Sequence, residues 1–101
     1  MTKPASYDIF LASLDAQEPL PNWPMALKAL WYDAKGSWGE SHTIAQDMHD
    51  DLGSWIHAYL HRKEGDEYNA GYWYRRANKT FSENSLKEEL KEIVEYVLFD
   101  Q

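Results

Sequence analysis

Apolar residues recur with the spacing of an α-helix in segment after segment of this chain. The clearest stripe lies near the carboxyl end and consists of Leu86, Leu90, Ile93, Val94, Val97 and Leu98. Ser85 and Glu88, which stand around the start of this stripe, have the spacing of a capping box. No segment alternates apolar and polar residues with the period of two that is typical of a β-strand. The sequence therefore predicts an all-α fold.

Other helices follow from the same spacing in the rest of the chain. Apolar stripes and turn residues predict helices over about residues 5–16, 24–35, 52–64 and 67–77, with a weaker pattern over about 37–51. Gly36 and Gly65 stand where two of these helices would end, and Asp66 stands where it would cap the next one. Short connections favour antiparallel neighbours around one core. We therefore expect residues 1–101 to form a single compact bundle of five or six helices.

Composition and charge exclude several classes of protein. Seventeen Asp and Glu against ten Lys and Arg give a net charge of −7, which disfavours binding to nucleic acids or anionic membranes. There is no cysteine, so disulfides, thiol catalysis and cysteine-based zinc sites are excluded. The five tryptophans are expected in the core with their N–H groups bonded, although Trp23 and Trp38 stand beside Pro and Gly in connectors and would mark a contact surface if they were exposed. With no signal-peptide pattern and no run near the roughly 20 apolar residues that span a bilayer, we expect a soluble cytoplasmic protein.

The segment from Trp55 to Lys79 places small and aromatic residues on either side of a tight turn. Its members are Ala58, the turn Gly65-Asp66, Ala70, Tyr74 and Ala77. This order resembles one tetratricopeptide or Sel1-like repeat over about residues 54–80, and the run from Tyr72 to Ala77 is similar to the Sel1-like ending. The resemblance implies two antiparallel helices that the alanines allow to approach closely. Since only one repeat is discernible, the remaining helices would have to cover this hairpin.

Two positions in the hairpin depart from the repeat. His57 and His61 stand where the family has apolar packing residues on its first helix. The segment is also similar to that of a group of small bacterial and fungal proteins without an assigned role, which implies no function. The histidines therefore have to be interpreted from their own chemistry.

These histidines are the main candidates for a functional site. With about 3.6 residues per turn, His57, His61 and Glu64 lie on one polar strip of a helix. Two imidazoles and a carboxylate can supply three ligands to Zn²⁺ or another divalent metal, and His42 or His49 can add a fourth from a facing helix.

Two interpretations without a metal stay open for the same strip. The imidazoles can form hydrogen bonds at a helix interface with Asp47, Asp50, a tyrosine or the backbone, since buried polar groups are normally bonded. They can also line a polar pocket for a small molecule or a peptide.

A second candidate is the small basic cluster of Arg75, Arg76 and Lys79 in an otherwise acidic chain. An anion or an acidic partner can dock there, and Arg75 and Tyr72 are expected on the outer side of their helix. The alternative is that the guanidinium groups pair with the Glu-rich last helix of the same chain.

These observations predict a small interaction or ligand-binding module without catalytic chemistry or a cofactor. Its binding residues would be His57, His61, Glu64, Tyr72, Arg75 and Arg76, and its partner would be an unidentified protein or small molecule. The alternative is a metal-binding protein or a metal-dependent hydrolase that uses His57, His61, Glu64 and His42 to hold a divalent metal such as zinc. A further alternative is a homodimer in which the acidic last helix of one chain packs against the basic hairpin of the other.

Overall fold

The computed structural model describes residues 3–101, which form six α-helices and contain no β-strand. The helices are α1 (Tyr7–Ala12), α2 (Met25–Ala34), α3 (Trp38–Asp47), α4 (Asp51–Lys63), α5 (Glu67–Arg76) and α6 (Leu86–Phe99). A short 3₁₀ turn, Ser13–Asp15, follows α1. The all-α prediction is confirmed, and the weak pattern before α4 is a helix.

Local signals in the sequence set most of the helix ends. The side chains of Asp50, Asp66 and Ser85 accept hydrogen bonds from the first turns of α4, α5 and α6, and the predicted capping box with Glu88 is present. Gly65, after α4, has a positive φ of 88°, which glycine adopts without steric cost. The prediction was wrong for α1, which ends at Ala12 because the chain tightens into the 3₁₀ turn.

Helix α4 lies at the centre of the molecule. It packs against α2, α3, α5 and α6, and every residue from 52 to 60 is buried. Its most extensive packing is with α5, so the predicted hairpin of two helices forms. Because α6 packs on α1, α2 and α4, the hairpin shares one core with the rest of the chain. No helix within the described residues is both long enough and apolar enough to cross a membrane.

A buried carboxylate joins α2 to this central helix. Asp33 is 2% exposed and accepts hydrogen bonds from the Tyr59 hydroxyl at 2.8 Å and from Lys63 Nζ at 2.9 Å, both on α4. Ser41, on α3, donates from its buried hydroxyl to the Ala29 carbonyl of α2 at 2.6 Å. These bonds, together with apolar packing, set the positions of α2 and α3 relative to α4.

Candidate functional site

Three histidines meet between α3 and α4. His42 comes from α3, and His57 and His61 come from successive turns of α4. One ring nitrogen of each lies within 4.8 Å of the others. The ring centroids are 4.5 Å apart for His42 and His57, 4.9 Å for His57 and His61, and 5.4 Å for His42 and His61. We call these three residues the histidine cluster.

Two different causes bring the cluster together. The spacing of four residues places His57 and His61 on the same face of α4. His42 reaches them because α3 is held against α4, in part by the hydrogen bond that Trp38 Nε1 donates to the Leu60 carbonyl at 2.9 Å. The first cause is visible in the sequence, whereas the second depends on tertiary packing.

Two tryptophans form walls of the cluster. Trp38 stacks on the His42 ring at a centroid distance of 4.7 Å, and Trp73 of α5 stacks on the His57 ring at 3.9 Å. Both are only partly buried, unlike Trp23, Trp31 and Trp55. The expectation that all five tryptophans lie in the core is therefore wrong for these two, which pack against its edge. The expected hydrogen bond of the indole N–H is absent at Trp23, whose Nε1 is buried without a partner among the described residues.

Burial lowers the pKa of two of the three imidazoles, His57 and His42. His57 is 5% exposed, and its burial, with the charges of His42 and His61 adding to the effect, lowers its pKa from 6.5 to about 4. The pKa of His42 is also lowered, first by burial and then by His61. At neutral pH, His57 therefore has a lone pair available without having to lose a proton.

Acidic side chains lie on the far side of His61. Its Nδ1 is 2.7 Å from Glu64 Oε2 and 3.8 Å from Asp66 Oδ2. Within residues 3–101, His61 is the only member of the cluster with a hydrogen-bonded ring. Because Nδ1 faces the carboxylates, Nε2 is the nitrogen left for a ligand in the cluster. His61, Glu64 and Asp66 form a second group with mutual distances within 4.8 Å, in which Nδ1 would be the donor.

The structure separates the other residues that the sequence suggested around this strip. His49 is exposed and lies outside the cluster, and Asp47 is exposed as well. Asp50 bonds to the backbone nitrogen of Gly53 at 2.8 Å and so caps α4. The imidazoles therefore pack against tryptophans, and the predicted hydrogen bonds to Asp47 and Asp50 do not form.

The predicted basic surface is only partly assembled. Arg76 donates to the Tyr72 hydroxyl at 3.2 Å, and its guanidinium lies 5.3 Å from the centre of the Trp73 ring. Arg75 is exposed. Neither arginine forms an ion pair with α6 among the described residues, and the guanidinium that does so is Arg62, which pairs with Glu89 at 2.7 Å. The prediction that the guanidinium groups of Arg75 and Arg76 pair with α6 is therefore wrong.

The residues predicted for the site from the sequence included neither Trp38 nor Trp73. Trp38 precedes His42 by four residues on α3, and this spacing is a signal that they share one face. Trp73 gave no such signal, because it reaches His57 only through the packing of α5 on α4.

No protein-family model matches this chain, and no match was found among curated proteins or among solved structures. The likeness of the hairpin to a tetratricopeptide or Sel1-like repeat stays a prediction.

Proposed function

We propose that this protein is a metal-binding domain that holds one divalent transition-metal ion, most simply Zn²⁺, between His42, His57 and His61. The observation that supports it is the convergence of three ring nitrogens from two helices within 4.8 Å of one another. Imidazole nitrogen is a preferred ligand of zinc, and sites with three protein ligands keep a fourth position for water or another donor. The proposal concerns binding and assigns no reaction to the site.

The distances between the ring nitrogens support a zinc site. In a tetrahedral site with Zn–N bonds of about 2.0–2.1 Å, ligand nitrogens lie about 3.3 Å apart. The nitrogens of the cluster are at most 4.8 Å apart, so each pair has to close by no more than about 1.5 Å. The rings of His42 and His61, which are only partly buried, are the two that would have to move.

Glu64 then has a role different from that of a ligand. Its carboxylate, bonded to Nδ1 of His61, orients the ring so that Nε2 faces the ion. A carboxylate on the outer nitrogen of a ligating histidine is a common arrangement that raises the basicity of the ring. The surface expected from Tyr72, Arg75 and Arg76 has less support as a binding site, because Tyr72 and Arg76 bond to each other.

Calorimetric titration of Zn²⁺ and Co²⁺ into tag-free, chelator-treated protein tests the proposal. We expect one equivalent to bind, with the visible spectrum of tetrahedral Co²⁺. His42→Gln and His61→Gln should each lower the affinity by about tenfold or more, since even the loss of a residue that only orients a ligand costs about tenfold. Glu64→Gln should lower it by about tenfold for that reason.

The fourth histidine provides the matched control. His49 is exposed and outside the cluster, so His49→Gln should leave the affinity unchanged. Circular dichroism of each metal-free variant establishes that its fold is intact. The proposal is wrong if neither ion binds to the wild-type protein, or if His49→Gln weakens binding as much as His42→Gln does.

A further inference from the structure

A cleft lined by residues of α4, α5 and α6 has no role in the metal proposal, since none of the three clustered histidines lines it. It has a volume of about 560 Å³, within the range of about 300–1,000 Å³ typical of small-molecule sites. The segment between α5 and α6 forms one side of it. The lining residues that matter here are Trp55, Tyr74, Lys79, Phe81, Glu89 and Glu92.

The floor of the cleft is a carboxylate whose hydrogen bonds are already made. Glu89 has no exposed surface, and it accepts hydrogen bonds from Trp55 Nε1 at 3.1 Å, the Tyr74 hydroxyl at 2.7 Å and Arg62 at 2.7 Å. The charge of Glu89 is balanced by Arg62. This network holds the rings of Trp55 and Tyr74 in fixed positions at the floor.

A cation of the protein already lies on one of these rings. Lys79 Nζ is 4.0 Å from the centre of the Trp55 ring, and this lysine has no ion pair within residues 3–101. Lys79 and Trp55 also line a second, smaller cavity of about 180 Å³, together with Asp51 and Tyr96. Lys79 therefore lines both cavities, and its ammonium group lies on an aromatic face.

The charges around this position favour a cation. With Glu89 balanced by Arg62, the ionisable groups that remain on the lining of the larger cavity are Glu83, Glu92 and Lys79. Asp51 adds a further carboxylate from the smaller cavity. If Lys79 swings out to solvent, carboxylates and aromatic rings remain, which is the combination that recognises organic ammonium ions.

We propose that this cleft binds a small organic ammonium ion, which takes the place of the Lys79 ammonium group on the Trp55 ring and has its charge balanced by Glu92. The ligand can be a quaternary ammonium compound or a primary amine, since both present a cation to the ring. The site does not depend on the metal proposal, and the two can fail separately.

The test is an NMR titration of metal-free protein with choline, following the indole N–H signal of Trp55. Butylammonium serves as a primary-amine probe, and neohexanol has the shape of choline without the charge. We expect saturable shifts of the Trp55 signal with choline or butylammonium and none with neohexanol. Binding of either cation supports the proposal, and their relative affinities show whether the site prefers a quaternary ammonium group or a primary amine.

Charge variants make the test specific. Lys79→Ala removes the competing ammonium group and should tighten choline binding by about two- to fivefold, the worth of one exposed cation–π contact. Glu92→Gln should weaken it by about twofold or more. Lys87→Ala and Glu95→Gln, which make the same charge changes on α6 away from the lining residues, should leave it unchanged.

Three results would overturn the proposal. The first is the absence of a saturable shift with both cations, for the wild-type protein and for Lys79→Ala. The second is an equal response to neohexanol, which would show that the cleft is only apolar. The third is an equal effect of Lys79→Ala and Lys87→Ala on choline binding, which would show that the affinity depends only on the net charge of the protein.

Discussion

Glu89 is buried, whereas Glu88 and Glu92 beside it on α6 are exposed. It is fully buried and joins three elements, because its partners are Trp55 and Arg62 on α4 and Tyr74 on α5. A buried carboxylate is tolerated only when it is paired and its lone pairs are bonded. Here a guanidinium, an indole and a phenol meet both requirements.

The first prediction concerns this carboxylate. Glu89→Gln keeps the shape of the side chain but removes the charge opposite Arg62, and it replaces one acceptor oxygen with an NH2 donor that faces partners that are all donors. Breaking one side of a buried ion pair costs about 3–5 kcal/mol, and partial exposure of Arg62 places this case near the lower end. Urea unfolding should therefore give a loss of about 3 kcal/mol.

The matched control for Glu89→Gln is one turn further along the same helix. Glu92 is exposed, so Glu92→Gln should change the free energy of unfolding by less than about 0.5 kcal/mol. Equal effects of the two substitutions would contradict the structural role of Glu89.

At the level of elements, the start of α4 depends on a close approach that only glycine permits. A Cβ atom on Gly53 would lie 2.5 Å from Met48 Cβ and 2.9 Å from the Met48 carbonyl oxygen. The connection from α3 therefore folds back tightly onto α4. This connection also brings α3, which carries His42, back towards α4.

The second prediction compares two glycines in helices. Gly53→Ala should destabilise the protein by about 1–3 kcal/mol, because backbone has to move to make room for the methyl group. Gly39→Ala, in α3, meets nothing within 4 Å. It should be neutral or stabilising by up to about 1 kcal/mol, as the helix propensities of alanine and glycine imply.

Urea unfolding of both variants under one set of conditions provides the measurement. A similar loss of unfolding free energy for the two variants would show that the destabilisation comes from replacing glycine in a helix and not from the contact with Met48.

At the level of the whole molecule, two buried tyrosines connect the central hairpin to the helices around it. Tyr59 donates to Asp33 of α2, and Tyr74 donates to Glu89 of α6. The pKa of each phenol is raised above its usual value of 10.0, first by burial and then by the neighbouring carboxylate. The fold therefore favours the protonated form of both.

The third prediction follows from the sign of these shifts. Above pH 10 the unfolded chain releases the phenolic protons while the folded chain retains them, so stability falls as pH rises. Below that pH this contribution is fully present. In a tyrosinate absorbance titration, Tyr59 and Tyr74 should ionise only as the protein unfolds.

Phenylalanine variants show whether Tyr59 and Tyr74 cause the pH dependence of stability. Tyr59→Phe and Tyr74→Phe should each make the free energy of unfolding depend less steeply on pH above 10. Tyr68→Phe, at a side chain that is 83% exposed, should leave this dependence unchanged. If the free energy of unfolding of Tyr59→Phe has the same pH dependence as that of the wild-type protein, the buried hydrogen bond between Tyr59 and Asp33 is contradicted.

The sequence by itself determined the features that depend on residues within a turn or two of one another. The helical stripes, the caps at Asp66 and Ser85, the turn at Gly65 and the shared face of His57 and His61 are of this kind. Even Glu89 carried a local signal, because it falls in helical register with Leu86 and Ile93 on the apolar face of α6. That register indicates burial but does not identify its partners.

Only the tertiary structure decided which side chains from different helices meet. It placed His42 beside the α4 histidines, Trp73 on His57, and Arg62 rather than Arg75 or Arg76 on Glu89. The partners of Glu89 on α4 are 27 and 34 residues away along the chain. Periodicity and spacing along the chain do not encode such pairs. Helices with similar apolar faces can pack against one another in several ways, and the packing that forms determines which side chains meet.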